Sequence, residues 1–178
     1  QLLMLHGIYG RGRNWLAVAR MLVERCPDWC CWLADMRHHG DAHAGADRGT
    51  LDALAGDIES WGAAPGVTPD AVLGHSFGGK VTLAYAALRP DELDEVWVLD
   101  STPSTRVDGM KNVGAAHVLD TLDALPPTFP SREFFIEHMT ASGMDRPQID
   151  WLAMNVRRLW QLRPQLLVAA LANRGAND

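Results

Sequence analysis

Four short apolar runs mark the first hundred residues, and the polar stretches between them carry apolar residues at helical spacing. Residues 2–5 are continuously apolar and end at His6-Gly7, the pattern of a strand buried on both faces. The runs at 29–34, 71–73 and 96–99 read as three more strands. Between the first two, Trp15, Leu16, Ala19, Leu22 and Val23 fall on a helical face, with Pro27 shortly beyond it. Thr50 stands as an N-cap ahead of Leu51, Leu54, Ile58 and Trp61, and a helix over 80–88 is stopped by Pro90. Strands alternating with helices predict an α/β fold, a doubly wound and mostly parallel sheet with helices on both faces. Such sheets bind ligands outside the carboxyl ends of their strands.

The pattern changes after Pro103. Residues 112–125, 131–141 and 147–172 read as helices, interrupted by Pro126-Pro127, Pro130, Pro147 and Pro164. Two domains are expected: a core over 1–103 and a helical insertion, a lid, over 104–178. Met139, Met144, Trp151, Met154 and Trp160 are expected in the core of that insertion rather than as a substrate-facing stripe.

Composition narrows the function classes. The chain has 178 residues, 47% hydrophobic, enough to bury a real core. Its 16 basic and 22 acidic residues give a net charge of -6 with no basic stripe, which argues against nucleic acid or an anionic membrane as partner. No run of about 18 apolar residues is present to span a bilayer. Cys26, Cys30 and Cys31 are odd in number and two are adjacent, which favours neither a disulfide framework nor a zinc site and fits a reducing, cytoplasmic compartment.

The chemistry gathers at Gly74-His75-Ser76-Phe77-Gly78, a G-x-S-x-G segment between an expected strand and an expected helix. A sharp turn there lifts the serine hydroxyl clear of the sheet, and the flanking glycines let backbone approach it closely. Such a segment arises by chance in roughly one random chain in twenty, so its placement carries more weight than the motif. The loop after the first strand, Leu5-His6-Gly7-Ile8-Tyr9-Gly10, emerges at the same sheet edge. The backbone N–H groups of Ile8 and Phe77 are candidates for an oxyanion hole. Read alone, His6 is a hydrogen-bonded histidine at a strand end.

The order L-H-G-x-x-G, D-x-R-x-H-G from Asp35 to Gly40, G-H-S-x-G-G-K from Gly74 to Lys80, and V-x-D-x-x-P from Val98 to Pro103 resembles the α/β-hydrolase superfamily. Within it the likeness is to the small esterases and thioesterases that include the YbfF-type esterases and abhydrolase domain-containing protein 11. The match covers about residues 1–103. The resemblance implies a serine hydrolase of carboxylesterase or thioesterase type, acting on a small acyl ester or thioester without cofactor or metal. Ser76 would be the nucleophile, a histidine the base and a carboxylate its orienting partner. Many superfamily members carry the acid after the following strand, whereas these esterases can carry it at the end of the strand after the nucleophile helix, where Asp100 stands; the resemblance thus implies Asp100 or a later residue as the acid, with Asp100 preferred. The superfamily histidine lies beyond the lid, and none of the seven histidines maps onto it, so the sequence reads as truncated at both ends with that histidine outside the chain. The resemblance also explains Asp35, Arg37 and Gly40 as residues that order a loop.

Three other readings fit part of this pattern. His38, His39, Asp41 and His43 lie within six residues and could hold zinc, although their spacing fits no common metallohydrolase pattern. A lyase on the same fold, or a catalytically silent binding protein that keeps the serine, would share these motifs.

Overall fold

The computed structural model describes residues 1–42, 49–62, 68–103, 117–118, 120–122, 124–126 and 129–155. They form two compact units, Gln1–Thr105 and Arg106–Asp178.

The first unit is built on four strands, β1 (Leu2–Leu5), β2 (Cys31–Ala34), β3 (Ala71–His75) and β4 (Glu95–Leu99). They run parallel in the order β2-β1-β3-β4. Strand β1 therefore has a strand on each side, and all four of its residues are buried, as a continuous apolar run requires. Each such side chain contributes about 2 kcal/mol through loss of contact with water. Alternate residues of the strands divide between the two faces. Leu2, Met4, Ala71 and Leu73 pack with Ala19 of α1 (Leu16–Arg25), bordered by Trp15, Leu22 and Leu33. On the opposite face α3 (Phe77–Leu88) lies against β1, β3 and β4 and packs on α2 (Leu51–Gly62). Arg89, at the end of α3, ties the two helices by donating to the Glu59 carboxylate from Nε at 2.8 Å and from Nη2.

Local chemistry explains where the elements begin. Thr50 caps α2 as expected: its Oγ1 accepts from Ala53 N at 3.1 Å. Several boundaries differ from the sequence reading; β3 runs on through Gly74 and His75, and β4 begins one residue early at Glu95. Trp29 and Cys30 precede β2, because Trp29 N donates to Cys26 O in a turn at Pro27-Asp28. The segment ahead of α1 is a short 3₁₀ turn, Gly12–Trp15, closed by Arg11 N on Asn14 Oδ1 at 2.7 Å. Helix α3 starts at Phe77 rather than Lys80, since the turn at Ser76 launches it directly through two glycines.

In the second unit, α4 (Arg132–Ala141) is capped by Ser131, whose Oγ accepts from Phe134 N at 3.1 Å. Helix α5 (Arg146–Asn155) has Pro147 in its first turn, and Asp145 Oδ1 accepts from Gln148 N at 2.9 Å. The two helices pack together around buried Phe135, Met139, Ile149 and Leu152, with Met144 also buried. Trp151 is half-buried and Met154 is exposed, so the second departs from the expected core position. Of the helix expected over 112–125, residues 117–118 and 120–122 are helical, while 112–116, 119 and 123 lie outside the described residues. So do 156–172 of the last expected helix, Trp160 among them, and His43. Among the described residues no helix is long and apolar enough to cross a membrane.

Candidate functional site

Ser76 stands between the last residue of β3 and the first of α3, with φ 53° and ψ -116°. An L-residue adopts that backbone only where its surroundings hold it, at a cost of about 1–3 kcal/mol. Two features supply the hold. Ser76 N donates to Leu99 O on β4 at 2.9 Å, and Gly79 N donates back to Ser76 O at 3.0 Å. The flanking glycines make room: a Cβ on Gly74 would come within 2.2 Å of Gly78 O, and one on Gly78 within 2.5 Å of His6 O. The turn thus needs glycine on both sides of the serine.

The other expected site residues converge on this turn. A Cβ on Gly7 would stand 3.5 Å from Ser76 Cβ, which puts the Gly7-Ile8 backbone against the serine. Ile8 is half-buried there, and Tyr9 follows with φ 59°. Phe77 opens α3, so its N–H has no acceptor within the helix and lies at the positive end of the helix dipole. In the register, His75 pairs with Leu99, so Asp100 follows on the strand beside Ser76. Asp100 has φ 47°, its side chain is 93% exposed, and its Oδ2 lies 3.9 Å from His75 Nε2, an ion-pair separation beyond hydrogen-bond reach.

The histidines divide sharply. His6 is 1% exposed, with Nδ1 2.8 Å from Gly7 O and Nε2 accepting from Met36 N at 3.2 Å. Both ring nitrogens are thus engaged, as the strand-end reading expected. Burial first, and His39 beside it second, lower its pKa to about 4. The His39 ring stands 4.8 Å from that of His6 and 6.3 Å from Phe77. Its Nδ1 lies 2.9 Å from Arg37 O, and burial lowers its pKa as well. His75 is edge-on to Trp15. His117 Nε2 lies 3.1 Å from Ser142 O in the second unit, and His138 stacks on Phe134. Among the described residues no histidine ring hydrogen-bonds the Ser76 hydroxyl, and no group of three His, Cys, Asp or Glu side chains is arranged to hold a metal.

The loop after β2 is ordered as the motifs implied. Asp35 accepts from Gly12 N and Asp41 N, each at 2.6 Å, and Gly40 turns at φ 48° where a Cβ would overlap the Asp35 carboxylate. Arg37 forms a two-point bond with Asp57 of α2, at 2.5 and 2.6 Å. Asp57 was missed, since an acidic residue on the polar side of a helix gives no sign of a partner 20 residues away.

Residues 1–135 match the family model described as the alpha/beta hydrolase fold. The chain belongs to that family. Among curated relatives, this α/β-hydrolase is 30% identical over 114 residues to sn-1-specific diacylglycerol lipase ABHD11 of Mus musculus, covering 64% of this chain and 36% of the relative. It is 30% identical over 155 residues to Lipase LipV of Mycobacterium tuberculosis (strain ATCC 25618 / H37Rv), covering 84% and 54%. The chain thus spans between a third and just over half the length of these two relatives. A solved structure described as a marine microorganism esterase superposes with a TM-score of 0.83 at 23% identity, over 97% of this chain and 67% of that one, a likeness of fold.

Proposed function

We propose that this α/β-hydrolase is a serine hydrolase of carboxylesterase or thioesterase type that cleaves small acyl esters through Ser76. The observation that carries the reading is the backbone of Ser76, held at φ 53° and ψ -116° between a buried strand and a helix N-terminus. Strain of that kind persists where a side chain must be presented. Ser76 Oγ attacks the acyl carbon and its proton passes to an imidazole contributed from outside the described residues. The carbonyl oxygen becomes an oxyanion and is stabilised by the N–H groups of Ile8 and Phe77. Asp100 orients the imidazole, which then protonates the leaving group; water releases the acyl group by the same steps in reverse roles. The lipase names of the two relatives support an ester as substrate. Residues 104–178 are read as a helical lid on the same grounds as in the sequence. The test is fluorophosphonate labelling of the intact natural protein, with p-nitrophenyl ester turnover measured in parallel. Labelling at Ser76 that abolishes turnover is expected; turnover surviving full labelling, or labelling elsewhere, defeats the proposal.

A further inference from the structure

We infer that His6 is a positioning residue that aims the Ile8 N–H at the reacting centre by fixing the peptide plane between Gly7 and Ile8. The inference rests on the proposed function, in which that N–H stabilises the oxyanion.

The argument begins with the ring. Met36 N is a donor and approaches His6 Nε2 at 3.2 Å, so Nε2 is the bare nitrogen and Nδ1 carries the proton. Nδ1–H then donates to Gly7 O at 2.8 Å. Gly10 N donates to the same oxygen at 3.0 Å, so two donors hold one carbonyl. That carbonyl shares a planar trans peptide group with the Ile8 N–H, which points the opposite way. Holding Gly7 O on the His6 side therefore directs the Ile8 N–H away from His6. The Gly7 backbone itself abuts Ser76, so a small rotation of this plane is felt at the serine. An oxyanion donor works only when it is held at the right angle beforehand, and loss of one such donor costs about 10²- to 10³-fold in kcat. His6 is buried and neutral in the ordinary pH range, so Nε2 stays unprotonated, and the donor at Met36 N and the acceptor at Gly7 O select the tautomer.

The two bonds can be separated by substitution. In His6→Asn the amide NH₂ falls near the Nδ1 position and keeps the donor to Gly7 O while the bond from Met36 is given up. In His6→Gln the amide can meet Met36 N and the donor to Gly7 O is lost. Steady-state hydrolysis of p-nitrophenyl butyrate by the intact natural protein should show kcat about 10²-fold lower in His6→Gln, with KM within about threefold of the unsubstituted enzyme. His6→Asn should stay within about tenfold in kcat. Equal loss in both variants, or a better enzyme with Gln, overturns the inference, as does a loss confined to thermal stability. In the unsubstituted protein, ring ¹⁵N shifts should show His6 protonated at Nδ1 and bare at Nε2; the other tautomer overturns it without any variant. Ser76→Ala is run alongside: if that variant retains turnover, the proposed function fails, whereas a dead Ser76→Ala with indifferent His6 variants fails only the present inference.

Discussion

The amide of Ser76 donates to the carbonyl of Leu99 at 2.9 Å, so the strained residue at the head of α3 hangs from the end of the neighbouring strand. Two consequences follow from this bond. It holds the serine backbone in a conformation the chain would otherwise leave, and it sets Asp100, the first residue beyond that strand, beside the serine.

Replacing Ser76 separates chemistry from strain. Ser76→Ala should lower kcat for ester hydrolysis on the order of 10⁴- to 10⁶-fold. Ser76→Gly should be equally inactive yet more stable than Ser76→Ala by about 1 kcal/mol, because glycine occupies φ 53° without a Cβ clash. Thermal melts of the two variants check this; a Gly variant melting below the Ala variant would mean that the turn stores no strain.

Asp100→Asn keeps the shape of an exposed side chain, so folding should be unaffected. If Asp100 fixes the histidine tautomer, kcat falls by about 10² to 10⁴. A variant with wild-type kcat would assign the acid to another carboxylate.

Gly78→Ala sets a methyl group 2.5 Å from His6 O and 2.7 Å from Leu5 O, both backbone atoms of β1 and its loop that cannot swing aside. We expect a loss of about 2 kcal/mol or more in urea unfolding, together with reduced turnover. Unchanged stability would show that α3 can slide away from β1.

His6 and His39 make stability fall in acid. The folded-state pKa of His6, about 4, lies below the ordinary 6.5, so between these values the unfolded chain binds more protons. The stabilisation is complete above pH 6.5 and drains as pH drops toward 4, by about 3 kcal/mol for His6, with His39 adding in the same direction. Asp35 opposes the shift at both rings without reversing it. Urea midpoints taken from pH 7 to 4 should decline more steeply in the unsubstituted protein than in His6→Asn. Parallel curves would remove His6 from the account.

For residues 1–178 taken alone, we expect slow fluorophosphonate labelling. No described histidine bonds the Ser76 hydroxyl, and an unactivated serine is a weak nucleophile near neutral pH. Rapid stoichiometric labelling of this chain would place a working base within it. Ester turnover by the intact natural protein should survive chelation by EDTA; activity lost to EDTA and restored by zinc would move the chemistry to the loop after β2.

Much of the fold was legible because buried parallel strands are written as plain apolar runs: residues 2–5 and 71–73 could hardly be anything else. The Ser76 turn was legible for a related reason, since close backbone approach demands glycine at fixed places. The start of α3 was not, because Gly78 and Gly79 are poor helix formers that tertiary packing overrides. The bond from Arg37 to Asp57 joins the loop after β2 to α2, and the bond from Met36 to His6 joins the loops that follow neighbouring strands; one-dimensional spacing does not encode such meetings. Of the four expected site residues, Ser76 and Phe77 were placed by the motif itself, whereas Ile8 and Asp100 needed strand order to set them nearby.

The ties that hold Ser76 also carry a kinetic meaning. The amide bond runs forward to residue 99, and the Gly78 contact runs back to residues 5 and 6, so neither partner is local. Residues 5, 6 and 99 must all be in place before the backbone at Ser76 is held as it is, so the turn is a product of the assembled sheet and not of its own segment. The reactivity proposed for Ser76 would then depend on the closed sheet, and partly folded chains should lack it.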